Sequence, residues 1–429
     1  MTVSISRPSL RANFGWLVAE RGWRIAVGLG VSLMVMRHLA PEDFGLLSFA
    51  FSLHAILGAL VGLGIDDVLA RELVRQPAQA RRLLLTGLGI KLTGALVAFP
   101  VGLLLSWLLR PGDWNALALV AWVTAGLFFL PADVVELWYQ SRERMRPPAL
   151  VRQGALGVTG LVRVALVLGD APPWCFAAAV TLELALVALA LGVLWLRDVR
   201  PVTAPVAAGI GRRGLAASLI AEGFPLLVSG FLVVVTMHCD RLLLIRLAGE
   251  KAAGLYAAAA RMTELLYILP VALGAAFLPR LAALHGSDAE GYARTARKAG
   301  AVLVLTAVGV AAAVSIAAPV VIPTILGEAY RAAADVWRIH VWTLVFVSIV
   351  SLRSRLWVVE GHTGWILALS AGTVVVNVSA NFWLIPRFGP MGAAWAGVVA
   401  WGASALVFPW CAPGPAKSML VWCGLAKSA

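Results

Sequence analysis

The chain has 429 residues, of which 61% are hydrophobic and 13% are charged, and its net charge is +13. Soluble globular domains carry about 25% charged residues, so this composition excludes a soluble globule and indicates an all-α polytopic membrane protein. The basic residues fall mostly in short segments between apolar runs, so the positive charge needs no nucleic-acid partner to explain it.

Twelve apolar runs follow one another along the chain, and each is close to the ~20 residues that a helix needs to cross the hydrocarbon core. The first run contains Glu20, Arg21 and Arg24, and no small-residue cleavage site follows it, so we predict a retained helix and not a signal peptide. In chain order the predicted spans are 15–36, 44–65, 83–109, 114–138, 149–168, 174–196, 216–240, 253–278, 299–322, 336–357, 364–385 and 391–411.

The distribution of basic residues predicts the orientation, because Lys and Arg in short loops are retained in the cytoplasm. With the N-terminus inside, 22 of these residues fall on the cytoplasmic face and 6 on the outer face. The bias holds at every loop, so the number of spans and the cytoplasmic N-terminus support each other. We therefore expect both termini in the cytoplasm.

The two halves of the chain share weak similarity in the same order. Internal duplication of this kind is typical of secondary transporters. Each half contains an even number of spans, which predicts two six-helix bundles related by a pseudo-two-fold axis along the membrane normal. The corresponding positions are 39–42 and 247–250, Gly45 and Gly254, Arg71 and Arg280, and Leu137-Trp138 and Leu356-Trp357.

A long cytoplasmic segment with Pro201 and Pro205 separates six spans from six. It predicts an N-terminal lobe at residues 1–197, a cytoplasmic linker at 198–213, a C-terminal lobe at 214–413 and a cytoplasmic tail at 414–429.

Motifs for catalysis or metal binding give no positive support for an enzyme. Gly209, Gly211 and Gly214 match GxGxxG, but no strand precedes them, so we treat the match as chance. The six histidines form no ligand pair at helical spacing, and the four cysteines lack metal spacing, although Cys175 and Cys239 could meet. We therefore expect no enzymatic activity, no cofactor and no metal.

Charged side chains inside the spans are the strongest functional signal, because each costs at least ~2.5 kcal/mol near the bilayer centre and usually faces a cavity or a partner. Glu20 and Arg24 are four residues apart in the first span, and Arg261 and Glu264 are three apart in the eighth. Each pair either neutralises itself and fixes helix packing or faces a substrate.

Three further basic residues, Lys91, Arg163 and Arg338, lie near predicted span ends, where we favour snorkelling toward the membrane surface. Carboxylates inside or at the ends of spans are Asp133, Glu136, Glu183, Glu222 and Asp240. Asp240 directly precedes Arg241, and a local pair between them is as reasonable as a functional role.

Several segments resemble bacterial polysaccharide flippases of the O-antigen translocase type. This family belongs to the same superfamily as the multidrug and toxin extrusion proteins and the lipid II flippases. The similarity covers nearly the whole chain, and each motif is degenerate, but their order and spacing are fairly specific. The segments are 37–46 (RHLAPEDFGL), 64–66 (GID) and 137–140 (LWYQ) in the first half, and 240–244 (DRLLL), 253–257 (AGLYA) and 381–394 (NFWLIPRFGPMGAA) in the second.

The resemblance implies two six-helix bundles around a central cleft in the bacterial plasma (inner) membrane. It implies a flippase that moves an undecaprenyl-pyrophosphate-linked oligosaccharide from the cytoplasmic to the outer leaflet by ion-coupled alternating access. Expected partners are the lipid-linked oligosaccharide, the lipid bilayer, and the polysaccharide polymerase and chain-length machinery.

A pyrophosphate in a low-dielectric cleft needs concentrated positive charge, and Arg offers bidentate contacts to phosphate oxygens. The substrate-binding candidates are Arg21, Arg24 and Arg261, followed by Arg163 and Arg338. Coupling to an ion gradient would give a role to membrane carboxylates, and the candidates are Glu222, Glu264 and Asp240.

Two alternative functions remain at this point. A multidrug-type cation antiporter of the same superfamily would share the twelve-span plan, but organic cations favour an acidic cleft. An integral-membrane polysaccharide polymerase or ligase would be expected to carry a sizeable outer loop with its reactive groups, whereas every predicted outer loop is short.

Overall fold

The computed structural model describes residues 27–62, 64–199 and 212–411, and within these ranges every regular element is a helix. The helices of the N-terminal half are α1 (Val27–His38), α2 (Pro41–Gly62), α3 (Ile65–Arg75), α4 (Ala80–Leu109), α5 (Trp114–Ala125), α6 (Val134–Ser141), α7 (Arg146–Leu168) and α8 (Pro173–Leu194). Those of the C-terminal half are α9 (Arg212–Leu247), α10 (Gly249–Leu266), α11 (Ile268–Leu284), α12 (Ala289–Leu326), α13 (Ala333–His340), α14 (Thr343–Val359) and α15 (Thr363–Gly402).

Ten straight or kinked helical segments are long and apolar enough to cross a membrane, and α1 is a shorter apolar helix. Helix α1 belongs to the first predicted span, of which residues 15–26 lie outside the described ranges. Helix α15 contains the last two predicted spans, because Gly389, with φ 56° and ψ −131°, breaks it. The ten segments thus account for eleven spans and α1 for the twelfth, so the predicted all-α fold with twelve spans is confirmed.

The second and fourth spans of each half are broken in two. Helices α2 and α3 are separated at Gly64, whose left-handed φ of 64° favours glycine, and their counterparts α10 and α11 are separated at Tyr267. The fourth span consists of α5, the 3₁₀ segment Gly126–Asp133 and α6, and its counterpart consists of α13 and α14. Breaks at corresponding places in both halves support the internal duplication.

The helices of each half pack mainly with one another. Helix α2 contacts α4, α5 and α8, while α12 contacts α11, α13 and α14. The halves meet where α2 lies against α9 and α10, and where α3 and α4 contact α9. The result is two six-helix bundles related by a pseudo-two-fold axis along the membrane normal. The lobe boundaries stay predictions, because much of the predicted linker and the whole predicted tail lie outside the described ranges.

The similar segments of the two halves pack directly against each other. A Cβ atom added at Gly45 would overlap the carbonyl of Glu250, and one added at Gly254 would overlap the carbonyl of Pro41. A reciprocal contact of this kind is what a two-fold axis produces when it passes between two equivalent elements. Glycine is needed at both positions because the backbones of α2 and α10 touch there.

Polar contacts between the two halves surround this glycine pair. They are Lys251 to Glu42 (3.3 Å), Arg37 to the carbonyl of Thr324 (3.2 Å), the Tyr330 hydroxyl to the carbonyl of Leu39 (3.1 Å), and the ion pair of Arg110 with Glu250. The sequence analysis predicts that this end of the bundles faces the outside. The two halves are therefore closed against each other at what we call the outer end.

We expect Gly45→Ala to weaken closure of the outer end, because the added methyl group must push α2 away from α10. Overpacking of this kind costs about 1–3 kcal/mol, which changes the ratio of closed to open molecules by about 5- to 150-fold. Spin labels at the exposed residues Asp170 and Glu328, one in each half, should report longer distances in double electron–electron resonance.

Gly309→Ala is the matched control, because a Cβ atom at Gly309 in α12 meets nothing within 4 Å. This variant should keep the distance distribution of the unmodified chain. If Gly45→Ala also keeps it, the glycine contact does not hold the outer end closed.

Candidate functional site

A cavity of about 470 Å³ lies between the two halves of the protein. Its walls come from α1, α2, α7 and α8 on one side and from α9 and α10 on the other. Most of the lining is apolar, but charged side chains enter it from both halves. These form one cluster on each side.

The cluster of the N-terminal half is built on α7 and α8. Arg163 Nη2 donates a hydrogen bond to Glu183 Oε2 at 2.7 Å, and the hydroxyl of Thr159 donates to the same oxygen at 3.1 Å. Thr159 and Arg163 are four residues apart and so share one face of α7. Glu183 on α8 is thereby satisfied by two donors inside the membrane-spanning region.

The cluster of the C-terminal half is built on α9 and α10. Arg241 forms an ion pair with Glu264 and places Nη1 2.9 Å from Nδ1 of His238. A guanidinium has only donors, so Nδ1 of His238 accepts this hydrogen bond and carries no proton itself. Arg261 Nη1 lies 3.7 Å from Glu264 Oε2, which is longer than a hydrogen bond.

The balance of charge in the cavity is positive. Three arginines, Arg163, Arg241 and Arg261, face two carboxylates, Glu183 and Glu264. Each carboxylate is already engaged by a close arginine, whereas the side chain of Arg261 stays 50% exposed. Because charges act over longer distances where water is scarce, this excess guanidinium makes the cavity attractive to an anion.

Three of the residues predicted from the sequence therefore meet in one cavity, namely Arg163, Arg261 and Glu264. The sequence analysis did not assign Arg241, Glu183, Thr159, His54 or His238 to the site. The position of Glu183 in the middle of a predicted span was a signal that this carboxylate could belong to the site. The pairing of Arg163 with Glu183 joins two helices, and spacing within one helix could not reveal it.

The other predicted residues lie elsewhere. Arg21 and Arg24 lie outside the described residues, so their role stays a prediction. Arg338 on α13 is 3.6 Å from Asp335 and does not line the cavity. Glu222 on α9 forms an ion pair with Arg71 of α3, which joins the two halves on the predicted cytoplasmic side of the cavity.

Asp240 is buried within the C-terminal half and does not pair with its neighbour Arg241. Its carboxylate accepts hydrogen bonds from the Tyr256 hydroxyl at 2.5 Å and from Asn381 Nδ2 at 2.6 Å. The alternative of a local pair with Arg241 is therefore wrong, because adjacent residues on a helix point in different directions. Cys239 donates to Asn377 Oδ1 at 2.9 Å, and Cys239 and Cys175 are both free thiols, so they do not pair.

Lys91 on α4 does not snorkel, and that expectation is wrong. Its side chain is only 1% exposed, and Nζ lies 2.6 Å from Asp66 Oδ1 and 2.7 Å from Asp133 Oδ1. Two carboxylates from α3 and from the 3₁₀ segment hold the ammonium inside the N-terminal half. This triad lies outside the cavity. Elsewhere in the described ranges no group of three or more His, Cys, Asp or Glu residues could hold a metal ion.

The sequence model of one protein family, described as "Polysaccharide biosynthesis protein", matches residues 10–285. The chain belongs to the polysaccharide biosynthesis protein family. A second sequence model, MatE, matches residues 225–383. No curated protein matches this family member significantly in sequence.

Solved structures show that this polysaccharide biosynthesis family member has the fold of the MOP superfamily. An inward-facing multidrug resistance MATE transporter of that superfamily has a TM-score of 0.73 at 17% identity, covering 94% of this chain and 96% of its own. The lipid II flippase MurJ, in an inward closed conformation, has a TM-score of 0.70 at 12% identity, covering 94% and 90%.

An outward-facing MATE transporter of the superfamily has a lower TM-score of 0.59 at 17% identity, covering 96% of both chains.

We expect Lys91→Met to destabilise the N-terminal half, because it leaves Asp66 and Asp133 close together without their cation. Removing one partner of a buried ion pair costs about 3–5 kcal/mol, and the lower end applies here because Asp66 is partly exposed. Thermal unfolding of the protein in detergent measures the effect. The triple change Lys91→Met, Asp66→Asn, Asp133→Asn should recover part of the loss, and an unchanged melting temperature in Lys91→Met would contradict this role.

Proposed function

We propose that the protein is a flippase for an undecaprenyl-pyrophosphate-linked oligosaccharide. It moves this lipid from the cytoplasmic to the outer leaflet of the bacterial inner membrane for the synthesis of surface polysaccharide, such as O-antigen of lipopolysaccharide or exopolysaccharide. The observation that carries the proposal is the excess of arginine over carboxylate in a cavity between two lobes of the MOP fold. Both termini are in the cytoplasm, and the protein is a transporter and not an enzyme.

In this proposal Arg261 is the first contact of the pyrophosphate. Its guanidinium reaches into the cavity and is held only loosely by Glu264. Arg163 and Arg241 flank the diphosphate from opposite halves, and Arg21 and Arg24 stay candidates on the ground of the sequence alone. A cavity of about 470 Å³ falls in the range of small-molecule sites, ~300–1,000 Å³, so the halves must separate to admit a longer glycan.

Glu264 can couple substrate binding to a proton. In the structure this carboxylate engages Arg241 closely and Arg261 more loosely. A diphosphate competes with Glu264 for these guanidinium groups, and protonation of Glu264 removes that competition. Asp240 and Glu222 are further candidates for ion coupling, the first in a buried polar network and the second in the ion pair that joins the halves.

The membrane potential adds a driving force in the same direction. Moving about two negative charges out of a negative-inside cell is downhill by up to ~4.6 kcal/mol at ~100 mV, because each charge contributes ~2.3 kcal/mol. The glycolipid delivered to the outer leaflet is then available to the polymerase and the chain-length machinery, which are the proposed functional partners.

A multidrug-type cation antiporter is the second candidate, and the match of the MatE model over residues 225–383 favours it. The net positive cavity argues against it, because an organic cation would meet a surplus of arginine. Export of cationic dyes from vesicles would support this alternative. A polymerase or ligase has less support, because the described outer connections are short, for example the four residues 110–113 between α4 and α5.

We expect Arg261→Ala to reduce transport strongly. A charge-assisted hydrogen bond to phosphate contributes about 1.5–3 kcal/mol, so the rate of glycolipid translocation in proteoliposomes should fall at least about tenfold. Surface polysaccharide in cells should fall as well when compared at equal protein abundance.

Arg338→Ala is the matched control for this experiment. Arg338 and Arg261 have similar exposures, 51% and 50%. Each also lies near a carboxylate three residues away in sequence, at 3.6 Å for Arg338 and 3.7 Å for Arg261. Arg338 differs by lying outside the cavity. Equal transport by both variants and the unmodified protein would reject the assignment of Arg261.

We expect Glu264→Gln to bind a pyrophosphate-bearing lipid more tightly than the unmodified protein, because the amide does not compete as an anion with the diphosphate for Arg241 and Arg261. Microscale thermophoresis in detergent measures the two affinities. Equal affinities would show that Glu264 does not compete with the diphosphate.

A further inference from the structure

A second cavity of about 790 Å³ lies away from the charged one, between α2 and α4 of the N-terminal half and the start of α9. We infer that this groove binds the polyprenyl chain of a lipid whose phosphate sits at Arg82, at the cytoplasmic start of α4. The inference rests on the proposed function and adds an entry site, where the lipid binds before its diphosphate moves to Arg261 in the charged cavity.

One face of α4 forms the length of the groove. Thr86, Ile90, Thr93, Val97 and Val101 all line it at helical spacing. Its lining is mainly apolar, and Val97 is 60% exposed, so the groove is open to the lipid side of the bundle. A hydrocarbon chain is the occupant that such a lining favours.

The length of the groove favours a chain longer than an ordinary acyl chain. Val101 lies fifteen residues after Thr86 in α4, which corresponds to ~22 Å at a rise of ~1.5 Å per residue. One leaflet contributes only about half of the ~30 Å hydrocarbon core, or ~15 Å. A phospholipid chain ends near the midplane, whereas a polyprenyl chain of many isoprene units can follow the whole groove.

The cytoplasmic end of the groove is polar and has unused hydrogen-bonding groups. Thr86 is only 3% exposed, and its hydroxyl has no hydrogen-bond partner among the residues that the structure describes. By contrast, the hydroxyl of Thr93 donates to the carbonyl of Gly89 at 2.9 Å. A buried hydroxyl that lines a cavity without a partner points to a polar group on the ligand.

Arg82 lies one helical turn before Thr86 and therefore on the same face of α4. It is in the first turn of α4, where the helix dipole also favours an anion. The described part of the chain offers Arg82 no hydrogen-bond or ion-pair partner. A phosphate held between Arg82 and the Thr86 hydroxyl would place the isoprene units along α4 from Ile90 onward.

The position of the groove connects it to the transport cycle. Its far wall contains Ala216 and Ile220 of α9, just before Glu222, whose ion pair with Arg71 joins the halves. Separation of the halves on the cytoplasmic side would therefore change the groove and the charged cavity together. A permanently bound bulk phospholipid would have no reason to lie across this moving boundary.

The test uses the full chain in nanodiscs of phosphatidylethanolamine and phosphatidylglycerol. The probe is a polyprenyl phosphate that carries a photoreactive diazirine on its chain and no sugar. Cross-links should map to α4 between Thr86 and Val101. Thr93→Phe, and independently Val97→Trp, should lower this labelling about tenfold by filling the groove.

Leu92→Phe is the matched control, because Leu92 is adjacent and exposed but does not line the groove. It should keep full labelling. Arg82→Gln should weaken labelling by the polyprenyl phosphate but not by an uncharged polyprenol with the same diazirine. The proposal is wrong if Leu92→Phe and Thr93→Phe lose labelling equally. It is also wrong if photoreactive phosphatidylglycerol labels the groove and the polyprenyl phosphate does not displace it.

Failure of this proposal can be told apart from failure of the flippase function. If only the groove is misassigned, proteoliposomes still translocate the glycolipid in a manner that depends on Arg261, and the groove variants transport normally. If the flippase function itself is wrong, the unmodified protein translocates no glycolipid.

Discussion

A charged side chain inside a bilayer needs a partner of opposite charge or a polar cavity, and this constraint explains most of the polar architecture of the protein. Lys91 is held by two carboxylates, Arg163 by Glu183 and Arg241 by Glu264. These groups are satisfied within the protein. Arg261 is different, since its contact with Glu264 is long and its side chain is half exposed. The surplus cation therefore lies where the two halves enclose a cavity.

Duplication determines where that cavity forms. The glycine contact between α2 and α10 places the pseudo-two-fold axis between equivalent helices, and polar contacts close the outer end around it. The same two helices continue along the cavity, where α2 contributes Ser48 and His54 and α10 contributes Arg261 and Glu264. Movement about the glycine contact would thus change the size of the cavity directly. This geometry suits transport in which two rigid bundles rock against each other.

The sequence was sufficient for the architecture because the bilayer imposes a length and a polarity on every span. Apolar runs located the twelve spans, and the similarity of residues 39–42 to 247–250 indicated the duplication. The helix breaks were harder to place. Gly64 suggests one through its conformational freedom, whereas the corresponding break at Tyr267 is marked only by Pro270 in the first turn of α11. The 3₁₀ segment Gly126–Asp133 is equally unmarked apart from Pro131.

Partners across helices could not be predicted from one sequence. A local pair of Asp240 with Arg241 was one of two interpretations of the sequence, but consecutive helical residues diverge, and Arg241 meets Glu264 from α10 instead. Lys91 looked free to snorkel because Asp66 and Asp133, its two partners, are 25 and 42 residues away in sequence. Arg261 was identified correctly as a charge inside a span, and only the structure assigns it to a cavity with an excess of positive charge.

The central claim is that this surplus of guanidinium binds a diphosphate between the lobes. A structure in lipid nanodiscs with a short-chain polyprenyl-pyrophosphate sugar bound would test it most directly. The account predicts density for the diphosphate between the two halves, within hydrogen-bonding distance of Arg261 and beside Arg163 or Arg241. Density for the diphosphate at another place, with the arginines still paired to Glu183 and Glu264 around an empty cavity, would contradict it.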